Sequence, residues 1–459
     1  MKSLFLLVLA LPTQLLAQTS VTLRHINIVD VKTGAIHKDQ LVLIKNQKID
    51  LIENANNKYS GATGEVVDGT NKFLIPGLWD MHTHYHENVP VTRVYKIPSM
   101  VVNGVTGVRN MFGTKEDIQL RDSVNKNLLI APREIVASPL INGPGSFVPG
   151  DISISNASRI PILVDSLQKI GYDFIKVYSF LRSDLFFELA KYCRQKNMPI
   201  AGHVPLGITA EQASAAGFRS FEHMTGLLKS FSGKDEQQLN WQLEKKLADT
   251  SGFKAYVDIL FKSDVSLPFD TLTTKKVVKT LKANHTAITP TIVVFRGWEF
   301  NRDSLMKMPS MSYVSKARQQ EWYNFRATFS DEKDRTSNAL KLLSFLHKEG
   351  MMILAGTDNE NPFVVDGFSL HDELEYYVQA GMTPLEALQT ATLNPAIFLH
   401  KEKDLGTVAK GKFADLVLLD KNPLDDIKNT RAISAVIMNG HLINKTQIEQ
   451  SLKALENQP

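Results

Sequence analysis

The middle of this chain repeats one pattern: a short apolar run ends in a polar residue with chemistry to offer, and an amphipathic stretch follows. The runs are 73–81, 107–111, 133–138, 174–177, 200–203, 220–223, 287–294 and 352–356, and helix-like patterns such as 183–195 and 210–216 lie between several of them. Strand–helix alternation predicts a parallel sheet in an α/β fold. The runs lack a clean inside–outside alternation, as strands buried on both faces do. Eight of them fit a (β/α)₈ TIM barrel, whose mouth is formed by the C-terminal ends of the strands. A doubly wound sheet is the competing architecture, but it does not explain why polar residues fall at so many strand ends.

The two ends of the chain differ from the middle. Segments 21–30 and 41–52 are β-rich and partly alternating, as are 414–420 and 432–443. The last of these holds Asn439-Gly440 between two apolar runs, the strongest short hairpin signal. Together the ends predict a small composite β-sandwich: residues 18–75 as its first part, 76–399 as the barrel and 400–459 as its second part.

Composition sets limits. Net charge is +4 with both signs interspersed, too mild for a nucleic-acid partner, and there is no basic arm. Met1-Lys2 is followed by an apolar stretch to Ala17 that is shorter than the roughly 20 residues a membrane span needs. It reads as a secretory signal peptide, residues 1–17, with an uncleaved anchor as the alternative. Export to the periplasm or beyond follows, without stable membrane insertion. Cys193, the only cysteine, allows no internal disulfide and has no nucleophile signature around it.

Chemistry concentrates at the strand ends. In Asp80-Met81-His82-Thr83-His84, two imidazoles two residues apart share one face of a strand. Lys176, His203, His223 and Asp358 end later runs. Alone, each would be a hydrogen-bonded structural residue or a snorkelled charge. Together they converge on a site with the ligand types of a first-row metal ion. His86 extends the motif and is read as a rim or substrate contact. Tyr178 shares a face with Lys176 and is read as a substrate or oxyanion contact, with barrel-mouth packing as the alternative. By alternation Glu222 points away from His223 and is not counted. His371 is read as structural. The long segments 225–279 and 295–337 exceed a normal strand–helix connection and are expected to be helical insertions over the mouth. Segment 383–399 reads as one helix, capped by Thr383 and Glu386.

The stretches PGLWDMHTH, YDFIKVY, AGHVP, FEHM, AGTDN, GMTPLEALQTATLNPA and LGTVAKGKFADLVLLDKNPLDDI resemble the metal-dependent amidohydrolase superfamily, in its imidazolonepropionase- and prolidase-like branch. The resemblance covers nearly all of the chain after residue 17. It implies that His82, His84 and Asp358 bind a buried ion and that His203 and His223 bind a more exposed one. It also implies a carboxylated Lys176 bridging the two. Arg109-Asn110 departs from the Arg-Asp of many relatives at a position that is not a ligand. Two divalent ions, zinc by ligand type, would sit roughly 3.5–4 Å apart and acidify a water that attacks the substrate. Asp358 would carry the proton to the leaving amine.

The expected activity is hydrolysis of an amide-type C–N bond in a cyclic amide, N-acyl amino acid or dipeptide. Hydrolysis of an ester, lactone or phosphotriester on the same site is the alternative; a non-catalytic metal-binding barrel ranks below it. A deaminase is disfavoured because the mononuclear deaminases of the superfamily lack a bridging lysine. The expected partners are a small-molecule substrate and, where the chain assembles, copies of itself.

Overall fold

The computed structural model describes residues 20–55, 64–85, 90–144, 148–224, 227–233, 269–299, 301–324 and 335–458. The signal segment 1–17, His86 and most of the first long insertion, including Trp241 and Tyr256, lie outside the described residues.

Five strands come from the N-terminal part: β1 (Ser20–Val29), β2 (Ile36–Lys45), β3 (Lys48–Asn54), β4 (Glu65–Asp68) and β5 (Phe73–Pro76). The middle supplies β6 (Leu78–Thr83), β7 (Val105–Asn110), β8 (Arg133–Val136), β9 (Ile141–Asn142) and β10 (Ile152–Ser153). It continues with β11 (Ile175–Val177), β12 (Ile200–Gly202), β13 (Phe218–Glu222) and β14 (Ala287–Thr289). Near the C-terminus follow β15 (Leu416–Leu419), β16 (Ile433–Met438) and β17 (His441–Ile443).

Strands from both ends of the chain share one eight-stranded sheet, ordered β17-β16-β15-β5-β1-β2-β3 with β4 beside β1. The pairing joins strands from both ends of the chain in one mixed sheet. Its junction is the antiparallel pair β5–β15, from Phe73 opposite Leu419 to Pro76 opposite Leu416. The Asn439-Gly440 hairpin forms as expected, Met438 opposite His441. Both turn residues have positive φ, 51° and 79°, which the two-residue turn matching strand twist requires. Leu23, Ile26, Val42, Ile44, Leu416 and Ile437 pack into one apolar cluster on this sheet.

The middle strands pair in parallel throughout, as three-stranded β6-β7-β8 and six-stranded β10-β9-β11-β12-β13-β14. Among the described residues neither sheet closes on itself. Single parallel bridges continue the pattern from Ala137 to Phe174 and from Ile288 to Ile353. Met81 N–H donates to Ala355 O at 2.8 Å and Asp358 N–H to His82 O at 2.7 Å.

Three expectations change. Run 73–81 is two strands, split at Gly77, where a Cβ would lie 2.0 Å from Thr106 Oγ1. Run 352–356 is no strand beyond its bridge at Ile353. Segment 383–399 is two helices, Pro384–Thr390 and Leu393–Phe398, broken at Thr392 (φ −133°, ψ −76°). Pro395 lacks an N–H and would clash with the Ala391 carbonyl of a continuous helix. The capping box holds: Glu386 N–H donates to Thr383 Oγ1 at 3.2 Å and Thr383 N–H to Glu386 Oε2 at 2.8 Å.

Cys193 is buried on helix Ser183–Gln195, and burial pushes its thiol up to about 12, which keeps it unreactive. Among the described residues no helix is long and apolar enough to cross a membrane.

Candidate metal centre

Strand ends deliver the site. His82 is the fifth residue of β6 and His84 lies just beyond it. Lys176 is on β11, His203 follows β12 and His223 follows β13. Asp358 lies beyond the Ile353 bridge. The backbone leaves regular geometry at two of these positions: His223 has φ 62° and Asp358 φ 54°. Non-glycine residues held in the left-handed region carry strain and cluster at functional sites. Gly356 makes room for the convergence, since a Cβ there would lie 2.6 Å from Thr289 and 3.0 Å from His82.

Asp358 is the hub. Its Oδ1 lies 2.9 Å from His84 Nε2 and 3.3 Å from His82 Nε2. Its Oδ2 lies 3.6 Å from His223 Nε2. The ligand atoms of His82, His84 and Asp358 all lie within 4.8 Å of one another, so these three could hold a metal ion. The His223 ring is 4.6 Å from that of His82 and 5.0 Å from that of His203. The Tyr178 ring lies 4.2 Å from His203, next to the cluster. Lys176 is buried at 1% exposure and lies within the electrostatic reach of His203, His223 and Glu222. Exposure does not divide the ligands into one buried and one open set: the His84 side chain is 20% exposed, whereas His203 is buried.

Three imidazoles are held by their far nitrogens. His82 Nδ1–H faces Glu222 Oε2 at 2.9 Å. His203 Nδ1 pairs with Ser179 Oγ at 2.8 Å, and His223 Nδ1 with Thr291 Oγ1 at 2.6 Å. Partners of this kind fix ring orientation and tautomer in metal sites. His84 is held instead through its peptide: its N–H donates to Asn359 Oδ1 at 2.6 Å, and its carbonyl accepts from Asn359 Nδ2 at 3.1 Å and Lys96 Nζ at 3.2 Å.

Charge states suit a cation. Burial drives His84 down to about 4, His223 to about 3, and His203 well below its ordinary value. These imidazoles are therefore neutral at pH 7 and keep a lone pair for a metal. Burial opposes ionisation of Asp358, but the surrounding imidazoles, with hydrogen bonds from His82 and His84, outweigh it and hold the carboxyl well below the usual range. Burial also lowers Lys176 to about 8. The donor set, imidazole nitrogen with carboxylate oxygen, fits a borderline divalent ion.

Sequence reasoning missed the supports. Glu222 does not point away: it is fully buried and meets both His82 and Arg109, whose Nη2 donates to its two oxygens at 2.7 and 2.8 Å. Alternation fails there because His223 has left the strand at positive φ. Asp80, read only as part of the motif, is fully buried and accepts from Thr357. Ser179 and Thr291 are ordinary hydroxyls with no sequence signal; Asp80 before His82 and Glu222 before His223 were the visible hints, and the His203 motif has none.

An α/β fold with parallel strands that gather a His-His-Asp cluster at their ends defines a class of metal-ligating proteins. Residues 73–443 match the amidohydrolase family, and the chain belongs to it. Ochratoxinase of Aspergillus niger is 36% identical over 100 residues, 21% of this chain and 20% of that protein. Adenine deaminase of Thermosipho africanus is 25% identical over 210 residues, 42% of this chain and 34% of that protein. The chain thus matches about a third or less of the length of these curated relatives. Among solved structures, bottromycin amidohydrolase is similar with TM-score 0.71 at 20% identity, covering 95% of this chain and 90% of that one. A Xaa-Pro dipeptidase with bound methionine gives TM-score 0.63 at 18% identity, covering 93% of this chain and 100% of that one. At these identities the likeness is one of fold.

Proposed function

We propose that this chain is a metal-dependent hydrolase of an amide-type C–N bond in a cyclic amide, N-acyl amino acid or dipeptide. The observation that carries the reading is the convergence of imidazoles, three of them oriented from behind, on the carboxylate of Asp358. In this reading the two parallel sheets and the Ile353 segment belong to one (β/α)₈ barrel over residues 76–399, with 18–75 and 400–459 as the composite β-domain. His82, His84 and Asp358 hold one divalent ion and His203 and His223 a second, zinc by ligand type. Lys176, as its carbamate, bridges them. A buried amine lowered to about 8 is neutral often enough to add carbon dioxide near neutral pH, which supports that role.

Such ions supply an acidified water and a Lewis acid for the carbonyl. The rest falls to side chains. Asp358, facing the open side beside His84, accepts the proton of the attacking water and delivers it to the departing nitrogen, so the amine leaves neutral. Tyr178, against His203, is placed to donate to the oxygen on which charge develops. Glu222, Ser179 and Thr291 hold the imidazoles still. Residues 1–17 export the chain in the same reading.

The test is turnover of a panel of dipeptides and N-acyl amino acids by zinc-loaded protein. Release of free amino acid supports the reading; binding of two ions per chain with no turnover of any member overturns it. The match to adenine deaminase favours a second reading, deamination. Ammonia from adenine with one ion per chain would select it.

A further inference from the structure

At Thr291 the residue type and the backbone disagree. Thr291 starts the short 3₁₀ helix Ile292–Phe295. Threonine at a helix start ordinarily keeps an extended backbone, and its hydroxyl accepts an N–H of the first turn. Here φ is 52° and ψ 49°, in the left-handed region, and the hydroxyl makes no bond to its own helix. A β-branched residue in that region is an outlier that persists only when its surroundings over-determine it. Thr291 is buried and turns its hydroxyl to His223 instead, Oγ1 to Nδ1 at 2.6 Å. His223 is left-handed too, and its N–H donates to Thr289 O at 2.8 Å.

The start of this helix is capped from a distant part of the chain. Glu373, fully buried on helix Phe368–Gln379, accepts the Ile292 N–H on Oε1 at 2.9 Å and the Val293 N–H on Oε2 at 2.8 Å. Those are the first two N–H groups of the helix, which have no partner within it. Burial pushes the Glu373 carboxyl up to about 8, and in either protonation state each oxygen keeps a lone pair for an N–H.

Resting on the reading of His223 as a metal ligand, we propose that Glu373 is a positioning residue for the metal centre. By capping the helix in place of Thr291, it frees the Thr291 hydroxyl and holds it against His223. His223 Nε2 faces Asp358 Oδ2 at 3.6 Å, so a ligating His223 carries its proton on Nδ1 and Thr291 Oγ1 accepts it. Without Glu373, Thr291 returns to an extended backbone and its hydroxyl caps its own helix. His223 Nδ1 then loses its acceptor, and the ring loses both its fixed orientation and its fixed tautomer.

The experiment uses the full chain and two readouts. Competition with a chelator gives zinc affinity, and ring ¹⁵N spectra of the metal-free protein give the His223 tautomer, with His223→Gln assigning its signal. Glu373→Gln offers one acceptor oxygen where two are needed, and Thr291→Val removes the hydroxyl at nearly constant volume. Each should weaken zinc binding about tenfold or more, and each should lose the Nδ1–H preference of His223. The double variant should bind zinc no more weakly than the weaker single, because both changes break the same link. Where Glu373→Gln does not fold, Glu373→Asp, whose carboxylate stops one carbon short, takes its place with the same expectation. Wild-type zinc affinity or an unmoved His223 tautomer in the folded Glu373 variant overturns the proposal, since Glu373 would then serve the helix alone. Additive losses in the double variant overturn it as well. If wild type binds no zinc, the hydrolase reading falls and the tautomer decides alone. An Nδ1–H preference present in wild type and lost in both variants keeps the hold of Glu373 on His223; an unchanged tautomer removes it.

Discussion

Asp80 and Thr357 tie the first and last parts of the parallel-strand region together beneath the metal cluster. Asp80 Oδ1 accepts the Thr357 N–H at 3.0 Å and Oδ2 accepts the Thr357 hydroxyl at 2.6 Å, while Oδ1 also takes the His82 N–H at 3.2 Å. Thr357 precedes Asp358 and His82 is a proposed ligand, so one buried carboxyl sets the distance between two ligand-bearing segments. Asp80→Ala strips three hydrogen bonds from a fully buried place. It should destabilise the fold by about 3 kcal/mol and weaken metal retention, although Asp80 is no ligand. Denaturant melts with metal analysis after dialysis check both; wild-type stability and metal content would refute the tie.

Asp358→Asn keeps the size of the hub and removes its basicity. The variant should retain metal and lose about 10²–10⁴ in kcat through the missing proton transfer. Measured turnover within a few-fold of wild type at equal metal content would take Asp358 out of the proton path.

Glu222 shows where reading strands by alternation stops. The rule assigned His223 and Glu222 to opposite faces, and it would have been right had His223 stayed extended. The left-handed turn at His223 brings both to the site, and no local signal in Phe221-Glu222-His223 announces that turn. By contrast the convergence of His82, His84, His223 and Asp358 at strand ends was legible, because it depends on short apolar runs and on spacing. The break at Gly77 was not: it arises from the close approach of Thr106, a residue far along the chain. The two-helix form of 383–399 was partly legible, since Pro395 stands inside the run. What stayed hidden throughout were contacts between residues distant in sequence, such as Ser179 with His203 and Asn359 with the His84 peptide. Glu222→Gln tests the hidden part. It leaves Arg109 without its charge partner and His82 Nδ1–H with a weaker acceptor. Metal affinity should fall about 10- to 100-fold and stability by about 3–5 kcal/mol. Competition with a chelator reads the first quantity, and wild-type affinity there would sever Glu222 from the site.

Lys176→Ala asks whether two ions depend on one bridge. The buried position should accept the truncation, leaving fewer than two ions per chain by elemental analysis. Retention of both ions would remove the carbamate from the mechanism.

His371 gives a pH dependence that is separate from the cluster. It lies on helix Phe368–Gln379, fully buried, with Nδ1 2.9 Å from Thr430 Oγ1 and Nε2 3.1 Å from Asn103 O. It thus joins the first long helix to the C-terminal segment. Burial drives it down to about 3, aided by Arg431. The unfolded chain takes up this proton near 6.5, so between about pH 6.5 and 3 the unfolded state binds more protons than the folded one. Its contribution to stability is complete above pH 6.5 and declines as pH falls toward 3, with a limiting slope of about 1.4 kcal/mol per pH unit. His371→Gln can keep a hydrogen bond and has no proton to gain. The variant should be less stable than wild type at pH 7.5, and the gap should narrow steadily between pH 6 and pH 4.5 in parallel urea titrations. A gap that stays constant over that interval would mean that His371 takes up its proton as readily in the folded protein as in the unfolded chain, and the buried neutral link through Thr430 and Asn103 would be refuted.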